Sequence, residues 1–264
     1  MAGLELGLIG NGAVSALANR RGDLVWFCNP RFDGDPLFCS LLHGDPDKPS
    51  ADGSFRIVLE GHERAEQSYV ENTGILRTVQ HGHDGDAVEI LDFCPRFKHY
   101  GRNFHPNTLM RLIRPISGDP RIGIHLRPMR NYGAERCELT RGTSHVRYVG
   151  SPGGVLRVTT NAPITALVEE RPMVLDREIA MVLTGDESLR EAPLDVTRRF
   201  LQETIDYWRG WVRSLSIPFE WQQAVIQAAI TLKLSVFEDT GAIIAAPTTS
   251  LPEAAHSTRN WDYR

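Results

Sequence analysis

Lysine is nearly missing from this chain: 26 arginines and 3 lysines carry all of its fixed positive charge. The arginines are scattered and the formal net charge is −4, so the basic footprint that grips nucleic acid is absent and no nucleic-acid partner is expected. Long hydrophobic runs are absent too. No stretch approaches the roughly 18 apolar residues of a membrane span, and Met1-Ala2-Gly3-Leu4-Glu5 lacks the basic start and apolar core of a signal peptide. A soluble, unexported, cytoplasmic protein with no membrane partner is the expectation. Cysteine is scarce: Cys28, Cys39, Cys94 and Cys137 are too few and too widely spaced for a secreted disulfide framework or a zinc ribbon, so buried free thiols are expected. No internal repeat or low-complexity tract interrupts the sequence.

What remains is an ordinary globular composition. With 264 residues, 41% hydrophobic and 23% charged, the chain can bury a sizeable core in one large domain or two. Up to about residue 190 the pattern is short strands separated by turns. Arg121-Ile122-Gly123-Ile124-His125-Leu126-Arg127 alternates with period two and puts three aliphatics on one face of a half-buried strand. Comparable segments are Phe55 to Leu59, Ile75 to Val79, Ala87 to Phe93, Thr108 to Ile113, His145 to Val149, Val155 to Thr159 and Ile179 to Leu183. Gly10-Asn11-Gly12, Asp84-Gly85 and Gly153-Gly154 supply the positive-φ residues of tight hairpins. Many short strands with no helices between them predict a mainly β fold, an antiparallel β-sandwich over residues 1–190.

The period changes after Pro193. Phe200, Leu201, Thr204, Ile205, Trp208, Trp211, Val212 and Leu215 form a helical stripe, with Asp195 placed to cap it; residues 191–217 read as a connector helix. A second helix is expected from Pro218, with Trp221, Val225, Ala228, Ala229, Leu232, Val236 and Phe237 as its apolar face and Gly241 as its stop. On this reading Trp208, Trp211 and Trp221 are core anchors.

Three upstream constellations carry chemistry-type residues. Gly10-Asn11-Gly12-Ala13-Val14-Ser15-Ala16 follows Leu8-Ile9 in the manner of a dinucleotide fingerprint, but Arg20-Arg21-Gly22-Asp23 ends the segment before a Rossmann helix could form. His81-Gly82-His83-Asp84-Gly85-Asp86 has metal-type side chains, yet two glycines in six residues point first to a hairpin turn. Pro30-Arg31-Phe32-Asp33-Gly34-Asp35 reads either as a structural turn with Asp33 paired to Arg31 or as a loop reaching a binding site. No metal site stands out.

The C-terminal run is the most informative. Pro247-Thr248-Thr249-Ser250-Leu251-Pro252-Glu253, followed by Arg259-Asn260-Trp261-Asp262-Tyr263-Arg264, mixes a two-proline turn with aromatics, Arg, Asn and Asp. Such a set suits a concave polar site that stacks against a hydroxyl-rich ring. Exposed aromatics at a chain end would forfeit the burial that justifies their size, so the chain reads as the front of a longer protein.

From Ala245 to Arg264 this run resembles the opening of the catalytic domain in glycoside hydrolase family 15, which holds glucoamylases and bacterial trehalase-like enzymes. It departs from the family pattern at Ala254-Ala255-His256-Ser257, where glycines are usual. Ile9-Gly10-Asn11-Gly12, Ala16-Leu17, Arg20-Arg21-Gly22, Val25-Trp26 and Pro30-Arg31-Phe32-Asp33 are similar to the start of the trehalase-like N-terminal domain. Asp92-Phe93-Cys94-Pro95-Arg96-Phe97 and Arg127-Pro128 with Tyr132-Gly133 fit the same pattern further on.

The resemblance implies a sandwich and connector followed, over residues 218–264, by the first helix of an (α/α)6 barrel that is cut off. It implies inverting hydrolysis of the α-glucosidic bonds of α-glucans, maltooligosaccharides or trehalose by two glutamates, without a cofactor. Both glutamates lie downstream in the family, so no catalytic residue is expected in this chain and the chain alone is expected to be inactive. Tyr263 matches a family tyrosine that lies against the non-reducing glucosyl unit, and Trp261 and Asp262 are candidates for the same subsite; equally, Trp261 could pack the loop base and Asp262 cap a turn. The alternative function is a non-catalytic, carbohydrate-binding or structural β-sandwich module.

Overall fold

The computed structural model describes residues 5–43, 52–249 and 251. The chain forms an antiparallel β-sandwich. One described sheet has seven strands: Gly7–Gly10, Ser15–Ala18, Leu24–Cys28, Ser54–Leu59, Arg121–Arg127 and Met173–Val174 in spatial order, with Pro36–Phe38 also paired to Leu24–Cys28. The other has eight, in the order Glu138–Arg141, His145–Ser151, Gly154–Thr160, Ile179–Thr184, Leu109–Ser117, Ala87–Phe93, Leu76–Gly82 and His62–Tyr69.

Period two explains which residues meet between the sheets. Ile122, Ile124 and Leu126 all enter the inter-sheet core, as their alternation predicts. The strand Leu109–Ser117 is buried on both faces: Leu109 and Ile113 point into that core, while Met110 and Leu112 join a second cluster on the outer face of the eight-stranded sheet. Ile179, Met181 and Leu183 divide from Ala180 and Val182 in the same way.

The outer cluster exists because a helix covers it. α1 (Ile164–Val168) is a short helix within the β region, where none was expected, and α2 (Pro193–Val212) lies across the outer face through Val196 and Leu201. Asp195 does not cap α2. The N-cap is Ala192, without a side-chain bond; Pro193 opens the first turn, and Asp195 sits inside it, where an acid still favours the positive end of the helix dipole.

α3 (Gln222–Leu234) departs further from expectation. It starts at Gln222 and not near Pro218; Trp221 is its N-cap, in the left-handed region at φ 61° and 79% exposed. The buried side is Ile226, Ile230 and Leu234, packed with Trp208 and Val212 of α2, so Leu232 at 60% exposure faces outward and Trp221 is no core anchor. Gln222 to Leu234 is apolar on more than one side, and periodicity alone cannot choose between two such faces. Gly241 is not the helix stop; at φ 72° it closes a turn in which its N–H donates to the Phe237 carbonyl at 2.8 Å.

Cys39, Cys94 and Cys137 are free thiols, the last only half-buried. Among the described residues no helix is long and apolar enough to cross a membrane.

Candidate functional site

Gly10-Asn11-Gly12 connects two antiparallel strands, so it forms a hairpin turn and opens no nucleotide-binding helix. Asn11 is buried and uses its whole amide. Its Nδ2 donates to the carbonyls of Pro95 at 3.1 Å and Pro106 at 2.7 Å, and its Oδ1 accepts from the N–H groups of Ala13 and Val14. Gly12 has φ 88°, and a Cβ there would stand 2.8 Å from the Arg96 guanidinium, so only glycine fits.

Arg96 is the hub of this end of the molecule. It is 2% exposed and stacks over the Tyr207 ring at 5.0 Å. Its donors reach three separate elements: Nε to the Tyr207 hydroxyl of α2 at 2.7 Å, one terminal nitrogen to the Asn11 carbonyl, and the other to Glu238 at 2.8 Å. Glu238 follows α3. Asn103 also donates to its carboxylate, Lys233 lies 3.7 Å away, and its own N–H donates to the Gly12 carbonyl at 2.8 Å. The turn after α3 is thereby clasped through both main chain and side chain.

The Pro30–Asp35 loop takes its expected structural role and adds a contact to the same turn. Arg31 and Asp33 pair through two bonds at 2.9 and 2.6 Å, and the loop also reaches the same turn: Phe32 meets Phe237 edge-on at 6.0 Å and Arg31 lies over that ring. Three motifs far apart in sequence, around Asn11, Phe32 and Arg96, therefore converge on residues 237–241. From there the chain pairs Ile243 with Val236, buries Thr249, and sets Leu251 among Trp26, Cys39 and Leu41 on the outer face of the seven-stranded sheet. Trp261, Asp262 and Tyr263 lie outside the described residues; the clasp holds the segment that leads toward them.

His83 meets Glu63 at 2.5 Å and His81 lies 3.8 Å from Glu66, and among the described residues no set of His, Cys, Asp or Glu side chains gathers to hold a metal ion. Sequence reading quoted Arg96 within a motif but gave it no role, and it missed Glu238 and Tyr207 entirely. The 142 residues between Arg96 and Glu238 leave no local signal of their contact.

Glu238 makes the clasp pH-sensitive. Partial burial acts to raise its carboxyl, but the Arg96 hydrogen bond and charge, Asn103 and Lys233 outweigh burial and bring it down to about 2. A carboxylate held low in the folded state stabilises fully above its unfolded value of 4.5, and that stability is lost as pH falls from there toward 2. Between about pH 7 and pH 3, urea unfolding should therefore show a smaller stability loss in Glu238→Gln than in the wild type, by up to about 2 kcal/mol. Equal losses in the two proteins would contradict the clasp.

Comparison with known sequences points to one family. Residues 4–164 fit the family model described as trehalase-like, N-terminal. The chain is 30% identical, over 98% of its length, to a trehalase of Thermoplasma volcanium, and 31% identical over 94% to a trehalase of Thermoplasma acidophilum. A trehalase of Mycolicibacterium smegmatis is 26% identical over 98%. The chain covers 41%, 42% and 42% of these proteins, about two-fifths of the length of the curated relatives it matches. The chain belongs to the trehalase-like N-terminal family, the one its own motifs resemble.

Proposed function

We propose that this chain is the N-terminal part of a glycosidase that hydrolyses the α-glucosidic bond of trehalose. The observation that carries the reading is that similarity to proteins named trehalase extends over nearly the whole chain, through both long helices as well as the sandwich. In this reading residues 1–190 are the sandwich, 191–217 the connector, and 218–264 open an (α/α)6 catalytic domain. The outward side of α3 supports it: Trp221 and Leu232, with Phe219 at 94% and Ile243 at 64% exposure, form the kind of apolar surface that neighbouring barrel helices would bury.

The chemistry is inverting. One glutamic acid protonates the leaving oxygen while a second glutamate activates water on the opposite face of the sugar, and both belong to the part of the catalytic domain downstream of this chain. Tyr263 would face the cation-like anomeric centre, with Trp261 and Asp262 shaping the subsite. Maltooligosaccharides are the secondary substrate class, and the cytoplasm is the compartment that suits free thiols.

Glucose release tests the proposal. The chain by itself should release none from trehalose or maltose, because losing a general acid or base typically costs on the order of a hundredfold to ten-thousandfold and here both are lost. A protein extended by the remaining catalytic domain should hydrolyse trehalose in preference to maltose. Turnover by the chain alone would overturn the assignment of both glutamates. If the chain is a monomer that binds maltooligosaccharide and the extended protein is inert, the non-catalytic module is the correct reading.

A further inference from the structure

A cavity of about 360 Å³ opens between the strand Arg121–Arg127, the end of α1 and the strands Glu138–Arg141 and His145–Ser151. Its size falls within the roughly 300–1,000 Å³ of small-molecule sites. The rear is apolar: Leu167 and Tyr148 are buried, the Tyr148 hydroxyl donates to the Leu126 carbonyl at 2.8 Å, and Leu139 and Val168 give an aliphatic wall.

The rim is ionic and balanced. Arg127 grips Glu170 through Nε at 2.7 Å and a terminal nitrogen at 2.5 Å, and lies 3.5 Å from Asp52; Arg136 donates to Asp52 at 2.9 Å. His125 adds a contact to Glu170 at 3.1 Å. The Arg127 hydrogen bonds hold the Glu170 carboxyl below its ordinary range, so it stays an acceptor near neutral pH. Glu170 is also costly to place. It stands just past the end of α1 at φ 53°, where its N–H and that of Arg171 close onto the Leu167 and Ala166 carbonyls, a position that usually takes glycine.

Two guanidiniums and two carboxylates cancel, so neither an anion nor a cation is favoured, while partly exposed donors and acceptors stand ready around an apolar floor. We propose that this cavity is a binding subsite for a neutral polyhydroxylated ligand, a short saccharide whose hydroxyls meet Asp52, Arg136 and Glu170 and whose C–H face lies on Leu139 and Val168. The choice of saccharide among neutral polyols rests on the trehalase-like reading.

Methyl NMR of the chain, titrated with millimolar trehalose or maltose, tests the site directly, since leucine and valine methyls line it. Saturable shifts are expected at Leu139, Leu167 and Val168. Arg136→Ala, which removes a side chain 73% exposed, and Leu139→Trp, which narrows the cavity, should each weaken binding about tenfold with Leu109 and Leu112 unshifted. The proposal is overturned if neither sugar produces saturable shifts, if both variants bind like the wild type, or if gluconate or glucosamine binds as well as trehalose. Glucose release by the extended protein keeps the two readings apart. A silent cavity in an enzyme that hydrolyses trehalose overturns only the subsite, and a saturable cavity in a protein that hydrolyses no α-glucoside overturns only the hydrolase.

Discussion

Arg111→Met should cost this protein about 3–5 kcal/mol, a large share of a total stability of about 5–15 kcal/mol. Arg111 has no exposed surface, and neither does Asp92 directly opposite it on the neighbouring strand. The guanidinium bonds both carboxylate oxygens, at 2.7 and 3.0 Å. It then crosses the core to the other sheet, donating to the carbonyls of Phe55 at 2.9 Å and of Gly22, and lies 4.5 Å over the Phe55 ring. Burial pushes the Asp92 carboxyl up from its ordinary range, and Arg111 is the group that opposes this. Methionine would fill the volume but leave a buried carboxylate and two carbonyls without partners. The double variant Asp92→Leu with Arg111→Met should recover much of the loss, because two apolar residues no longer need partners. Urea unfolding of the three proteins decides the matter. A single-variant loss below about 1 kcal/mol would mean the pair is better hydrated than its burial indicates.

Arg96→Met should act more locally. It removes a partner from each of the Glu238 carboxylate, the Asn11 carbonyl and the Tyr207 hydroxyl, but Glu238 keeps Asn103 and Lys233, is 22% exposed and can recover water. The expected result is release of the turn after α3 with the sandwich intact. Hydrogen exchange at the Glu238, Gly241 and Ile244 amides should speed up by about a hundredfold, close to 3 kcal/mol of local opening, while amides of the strand Leu109–Ser117 change far less. Arg96→Lys keeps the charge without the three-way fork and should fall between. In the extended protein, kcat/KM on trehalose should drop in the same order, since the clasped turn leads into the segment bearing Trp261 and Tyr263. Uniform acceleration across the whole sandwich would show that Arg96 supports global stability and does not act as a clasp.

Much of the sandwich could be read in one dimension. Strands buried on at least one face carry period-two or continuous apolar runs, and each such strand expected between Phe55 and Leu183 is present within a few residues at its ends. Edge strands escaped: His62–Tyr69 is polar on both faces and Glu138–Arg141 nearly so, the composition that keeps an edge from pairing further. For the candidate site, the motif around Asn11 was visible but its meaning was not, because its partners at Pro95, Pro106 and Arg96 arrive from distant strands.

The amino-acid order by itself determined the β-rich class, the stripe of α2 and the resemblance to a trehalase-like family, all of which depend on local periodicity or on contiguous motifs. Only the tertiary structure decided which side of α3 is buried, that Arg96 joins Asn11, Tyr207 and Glu238, and that Asp52, Arg127 and Glu170 ring one cavity. The reason is physical. A helix apolar on two sides buries whichever side meets a neighbour, and a charge chooses its partner by distance in space, which backbone topology sets and sequence separation does not.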